Sequence, residues 1–168
     1  MTRRSRRLKT VLFANRMEIR NPLARQGRRL LQLGILLILY SSLEGFAIPY
    51  LASQRIGLSA HTLSAFQGVF LLAQGLLWPR LKLNDAVSRV AFWCSVYSTL
   101  AILAAYTIAA AWGVGNETIR LMGELRHGLS RGTPFQETFI KVLSYSSAPT
   151  GLIAFILMLF GLRSEPGR

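Results

Sequence analysis

The chain has 168 residues, of which 51% are apolar and 16% charged, with a formal net charge of +13. So few charges exclude an ordinary soluble domain of this size, in which about a quarter of residues are charged. The basic excess does not read as nucleic-acid binding either, because no aromatic-interleaved basic groove, zinc-knuckle spacing or helix-turn-helix pattern accompanies it.

Ten of the twenty Lys and Arg lie in the first 29 residues, ahead of the first long apolar run. Residues 1–29 therefore read as a basic, irregular arm lying on an anionic cytoplasmic leaflet. Ser5-Arg6-Arg7-Leu8-Lys9 resembles a twin-arginine export signal, but Arg16, Glu18 and Arg20 interrupt the apolar run that should follow. A mitochondrial presequence is a second reading, since no acid precedes Glu18.

Residues 30–163 read as an all-α membrane domain, a bundle of four transmembrane helices with spans near 30–51, 60–78, 85–112 and 135–162. The first span is 22 residues long with one charge, Glu44; at about 1.5 Å per residue it crosses a hydrocarbon layer of roughly 30 Å. Glu44 with Tyr40, Ser41 and Ser42 forms a polar patch suited to helix–helix hydrogen bonding, with a direct catalytic role as the alternative. Ser59 reads as the N-cap of the second span, which Pro79 stops. Asn84 caps the third, whose Ala and hydroxyl residues suit close packing at the centre of a bundle. Cys94 within it excludes an intrachain disulfide and reads as a packing residue.

The long polar segment 113–132 carries an amphipathic surface helix over 116–129, with His127 on its solvated face. Thr133-Pro134-Phe135-Gln136 combines a capping box with proline at the first helical position. Pro149 bends the fourth span, behind hydroxyls at Ser146 and Ser147 that can satisfy freed backbone groups. Four spans place both termini on one side, and the basic arm with Arg80, Lys82, Arg163 and Arg168 makes that side the cytoplasm.

The stretch Gly57 to Gln74 is apolar enough for lipid yet carries His61, Gln67 and Gln74. His61 is expected at the second helical position, where a helix N-terminus disfavours a charged imidazole. Counting along antiparallel helices places Tyr106 near the depth of Gln67, about 9 Å below His61. Ser95, Thr99 and Tyr106 share one face of the third span. These residues suit a ligand site and ordinary interhelical hydrogen bonds equally.

Gly57-Leu58-Ser59-Ala60-His61, with an amide six residues on and then Gly68, resembles the second helix of the hydroxylaminobenzene mutases and styrene oxide isomerases. The resemblance extends through Arg80-Leu81-Lys82-Leu83, Ala91-Phe92-Trp93, Tyr106 and Pro134-Phe135-Gln136-Glu137, over about residues 29–162. It implies a four-helix membrane isomerase, a homotrimer with ferric heme b between protomers and His61 as axial iron ligand. The iron would act as a Lewis acid on a small aromatic substrate, an epoxide giving an aldehyde by 1,2-hydride shift or an arylhydroxylamine giving an aminophenol. Tyr106 and Gln67 are then catalytic, orienting groups, and Ser98, Thr99 and Ile102 pocket neighbours. Gln67 stands where the relatives have asparagine, Ser98 where the isomerase branch has aspartate, and Ile102 where the third helix has asparagine. A heme-binding membrane protein without catalysis, and a structural or small-solute bundle without cofactor, are the alternatives.

Overall fold

Hydrocarbon demands that backbone polar groups be satisfied within each segment, and the chain answers with helices. The computed structural model describes residues 22–115, 118–119 and 132–163. Within them run α1 (Pro22–Ala47), α2 (Gln54–Leu77), α3 (Asp85–Trp112) and α4 (Pro134–Gly161), with short 3-10 turns at Ile48–Tyr50 and Trp78–Arg80. All four helices are long and apolar enough to cross a membrane. Large apolar side chains face outward along them, Phe46 at 81% exposure and Tyr50 at 89%, as befits a surface solvated by lipid.

Local signals set several helix ends. Asn84 accepts from the amide of Val87 at 2.9 Å and caps α3. Thr133 and Gln136 form the reciprocal capping box expected at α4, with Pro134 at its first position. Two ends differ from the sequence reading. α1 begins at Pro22, so residues 22–29 of the expected arm are helical; proline opens the helix, and long basic side chains reach from its first turns toward water. α2 is capped by Ser53 and not by Ser59. Gln54 and Arg55 build its first turn, and Ser59 back-bonds to the Arg55 carbonyl from inside the helix. The surface helix expected over 116–129, with His127, lies outside the described residues apart from Thr118 and the buried Ile119.

The helices pack as two antiparallel hairpins, α1 with α2 and α3 with α4, joined mainly through α2 and α3. The first hairpin closes on glycines. A Cβ on Gly27 would lie 2.9 Å from the Gly75 carbonyl oxygen, and one on Gly75 2.8 Å from that of Gly27. Gly34 and Gly68 face each other in the same way seven residues further along each helix. The next step of seven brings Ser41 opposite His61. α3 is the most buried span, as its small residues foretold.

One apolar cluster, with Leu30, Leu71, Trp78, Phe92 and Met158, fills the end nearer the N-terminus of α1. A second, with Ile56, Ala105, Ala109 and Ile140, fills the other end. There the buried carboxylate of Glu137 accepts the amides of Gly115 (2.9 Å) and Gly132 (3.3 Å), clasping together the two sides of the connection before α4. α4 runs unbroken through Pro149. Ser146 and Ser147 bond the carbonyls of Leu143 and Ser144, not the Tyr145 carbonyl whose usual donor Pro149 lacks.

Candidate active site

His61 stands in the third turn of α2, two turns deeper than the sequence suggested, because the helix starts at Gln54. Its state is set by α1 and not by the helix N-terminus. Nδ1 lies 2.8 Å from the main-chain carbonyl of Ser41 and 3.2 Å from the Ser41 hydroxyl. A carbonyl only accepts, so Nδ1 carries a proton, and the tautomer this selects is the one that leaves the lone pair on Nε2. Nε2 has no hydrogen-bond partner among the described residues. Gly45 makes room beside the ring: a Cβ there would lie 3.3 Å from Cε1.

Around this imidazole lies a hydroxyl-rich network. Ser41 Oγ donates to the His61 carbonyl at 2.9 Å, and Ser64 Oγ shares its proton between that carbonyl (2.9 Å) and Glu44 Oε2 (3.1 Å). Tyr40 (3.2 Å) and Thr107 (3.3 Å) donate to Glu44 Oε1. Glu44 is only 6% exposed, so the carboxylate joins α1, α2 and α3 from the inside, matching the hydrogen-bonding reading of its patch. Its partnership with Ser64 and Thr107 was not legible in the sequence, since both are common helix back-bonding residues.

Tyr106 is not level with Gln67. It lines a groove of ≈ 580 Å³ between α2 and α3 with Leu58, Ser59, Thr62, Leu63, Phe66 and Ile102, which places it at the depth of His61. The counting failed because α2 begins six residues before the expected start at Ala60. The Tyr106 hydroxyl has no hydrogen-bond partner among the described residues. The groove is otherwise apolar but for Ser59 and Thr62, and Thr62 back-bonds to Leu58. His61 does not line it, turning instead toward α1.

Gln67, Ser98 and Thr99 meet in a second cavity of ≈ 150 Å³, with Gln74, Ser95 and the rings of Phe66, Phe70 and Phe155. Thr99 donates to Gln67 Oε1 at 3.1 Å, and the Gln67 amide nitrogen is without a partner among the described residues. Ser95 donates to Gln74 Oε1, so Ser95, Thr99 and Tyr106 do line one side of α3 as their spacing foretold. Ser98 is committed to α4: it donates to the Ser147 carbonyl at 2.7 Å and packs against Gly151. Phe66 is the wall shared by groove and cavity, a role that no neighbouring residue in the chain signals.

A family model for styrene oxide isomerase matches residues 26–163, which takes in nearly all of the four helices and every candidate residue. The chain belongs to the styrene oxide isomerase family. Hydroxylaminobenzene mutase HabB of Ectopseudomonas oleovorans is 42% identical over 141 residues, 84% of either chain. Hydroxylaminobenzene mutase HabA of the same organism is 32% identical over 129 residues, 77% of this chain and 93% of its own. No solved structure matches. Membership makes the protein an isomerase, and its four long apolar helices make it an integral membrane one.

Proposed function

We propose that this isomerase holds ferric heme b through His61 Nε2 and rearranges an arylhydroxylamine to an aminophenol. The observation that carries the reading is the bond from His61 Nδ1 to the Ser41 carbonyl. A histidine whose far nitrogen is tied to a carbonyl has its tautomer and ring plane fixed, and presents the other nitrogen as a ligand. The residues present therefore fit an axially ligated heme. When bound, it would supply a Lewis-acidic iron for an oxygen of the substrate. The relatives' mutase names favour the hydroxylamine over the epoxide. So does Ser98, which is tied to α4 where the isomerase branch carries an acid.

The chain's own residues bind, orient and keep water out. Leu58, Leu63, Phe66 and Ile102 give an apolar groove that suits one aromatic ring and shields an electron-poor species from water. The unpartnered Tyr106 hydroxyl is the polar group that orients the substrate oxygen there. Gln67 offers a second orienting amide from behind Phe66. An isomerisation leaves the atom count unchanged, so no electron carrier is consumed.

The assembly that fits is a homotrimer with heme between protomers. His61 faces away from the Tyr106 groove of its own chain, so a cofactor shared between copies would bring one copy's imidazole to a neighbour's groove. A bacterial inner membrane with both termini cytoplasmic suits the distribution of basic residues.

The test is purification in detergent, addition of hemin and product analysis. A Soret band lost in His61→Ala, with aminophenol formed from phenylhydroxylamine, supports the proposal. A wild type that stays colourless with hemin would sink it. Phenylacetaldehyde from styrene oxide without aminophenol would move the protein to the epoxide reading, and a Soret band without either product would leave a heme protein without this catalysis.

A further inference from the structure

At the end of the bundle remote from His61, the first turns of α1 and α3 enclose a cleft of ≈ 370 Å³. Arg25 and Arg29 of α1 and Arg89 of α3 converge on it, against one carboxylate, Asp85. Phe92 and Trp93 form its aromatic wall, with ring centroids 5.4 Å apart and Trp93 63% exposed.

The placement of these arginines works against the fold. Arg25 and Arg29 lie one turn apart on the same helix face, where like charges repel. Arg25 also sits in the first turn of a helix whose N-terminal dipole already repels cations, and that turn has no acid to compensate. Neither arginine has an ion-pair partner among the described residues. Arg89 donates to the Asp85 carbonyl at 3.1 Å and makes no ion pair among the described residues. Three arginines thus share one space with a single carboxylate, Asp85.

We propose that this cleft binds the phosphate of an anionic phospholipid from the leaflet on the side of the N-terminus. Planar guanidinium forks match phosphate oxygens two at a time. A membrane lipid fits better than a dissolved phosphate because the wall of the cleft is apolar and aromatic. An exposed tryptophan beside Val90 and Phe92, where the apolar part of α3 begins, belongs at the headgroup level of the bilayer.

The test uses the full chain in uncharged detergent, titrated with phosphatidylglycerol, with phosphatidylcholine or with inorganic phosphate, and read by native mass spectrometry and thermal unfolding. Wild type is expected to retain phosphatidylglycerol at least tenfold better than phosphatidylcholine and to melt higher in its presence. The triple variant R25Q/R29Q/R89Q is expected to lose that preference with residues 1–21 left intact. Without lipid it is expected to melt no lower than wild type, since the repulsion is relieved. Equal retention of the two lipids would overturn the proposal, as would a triple variant that keeps the preference. So would equal protection by inorganic phosphate, or a triple variant that melts lower than wild type without lipid.

Discussion

Gly34 and Gly68 leave no room for a side chain between them: a Cβ on Gly34 would lie 2.8 Å from the Gly68 carbonyl oxygen, and one on Gly68 2.9 Å from that of Gly34. With Gly27 and Gly75 below and Ser41 and His61 above, this contact fixes which residue of α1 faces which residue of α2. The register of the hairpin therefore decides what the imidazole touches.

Gly34→Ala is expected to force the two helices apart at that level and to cost about 1–3 kcal/mol, as overpacking of a close contact does. The lowered unfolding midpoint in detergent would come with weaker hemin uptake, because separation lengthens the His61–Ser41 bond. An unfolding midpoint like wild type's would show that the glycine contact does not hold the hairpin.

Ser41→Ala separates hydroxyl from carbonyl. The variant loses the bond from Ser41 Oγ to the His61 carbonyl but keeps the main-chain oxygen that accepts from Nδ1. A loss of about 0.5–1.5 kcal/mol in stability is expected with the Soret band retained. A Soret band lost here as fully as in His61→Ala would assign the orienting role to the hydroxyl.

Tyr106→Phe keeps the ring that lines the groove and removes its unpartnered hydroxyl. Hemin binding should be unchanged while turnover falls about tenfold, the worth of one hydrogen bond of about 1.4 kcal/mol. Turnover equal to wild type's would remove the phenol from the mechanism.

Glu44→Ala leaves the hydroxyls of Tyr40, Ser64 and Thr107 without their shared acceptor inside the bundle. A cost of about 1–3 kcal/mol is expected, with Glu44→Gln, which keeps one acceptor oxygen, falling between alanine and wild type. Thermal unfolding of the three proteins checks the order; a glutamine variant no better than alanine would mean that the charge itself is needed.

What could be read from the sequence was whatever a few neighbouring residues decide. Asn84 and the Thr133–Gln136 box cap their helices wherever the rest of the chain goes, and the four apolar runs were unmistakable. Ser59 misled because Gln54 and Arg55 look like loop residues, whereas Ser53 caps the helix ahead of them and Gln54 donates back to the Pro49 carbonyl at 3.2 Å. That shift of six residues carried Tyr106 from the level of Gln67 to that of His61. Ser41 reads in the sequence as part of a polar patch. Only the seven-residue spacing of Gly27 and Gly34, continued to Ser41 and mirrored by Gly75, Gly68 and His61, could have paired it with the histidine.

Because both partners of the His61–Ser41 bond belong to the first hairpin, the direction in which the imidazole points is settled before the second hairpin need be made. The walls of the groove and the cavity draw on α3 and α4 as well, through Tyr106, Ile102, Ser98 and Phe155. Side chains of the later half, Ile102 and Phe155 among them, can thus be exchanged to reshape groove and cavity while the histidine and the α2 wall of Leu58, Leu63 and Phe66 stay set.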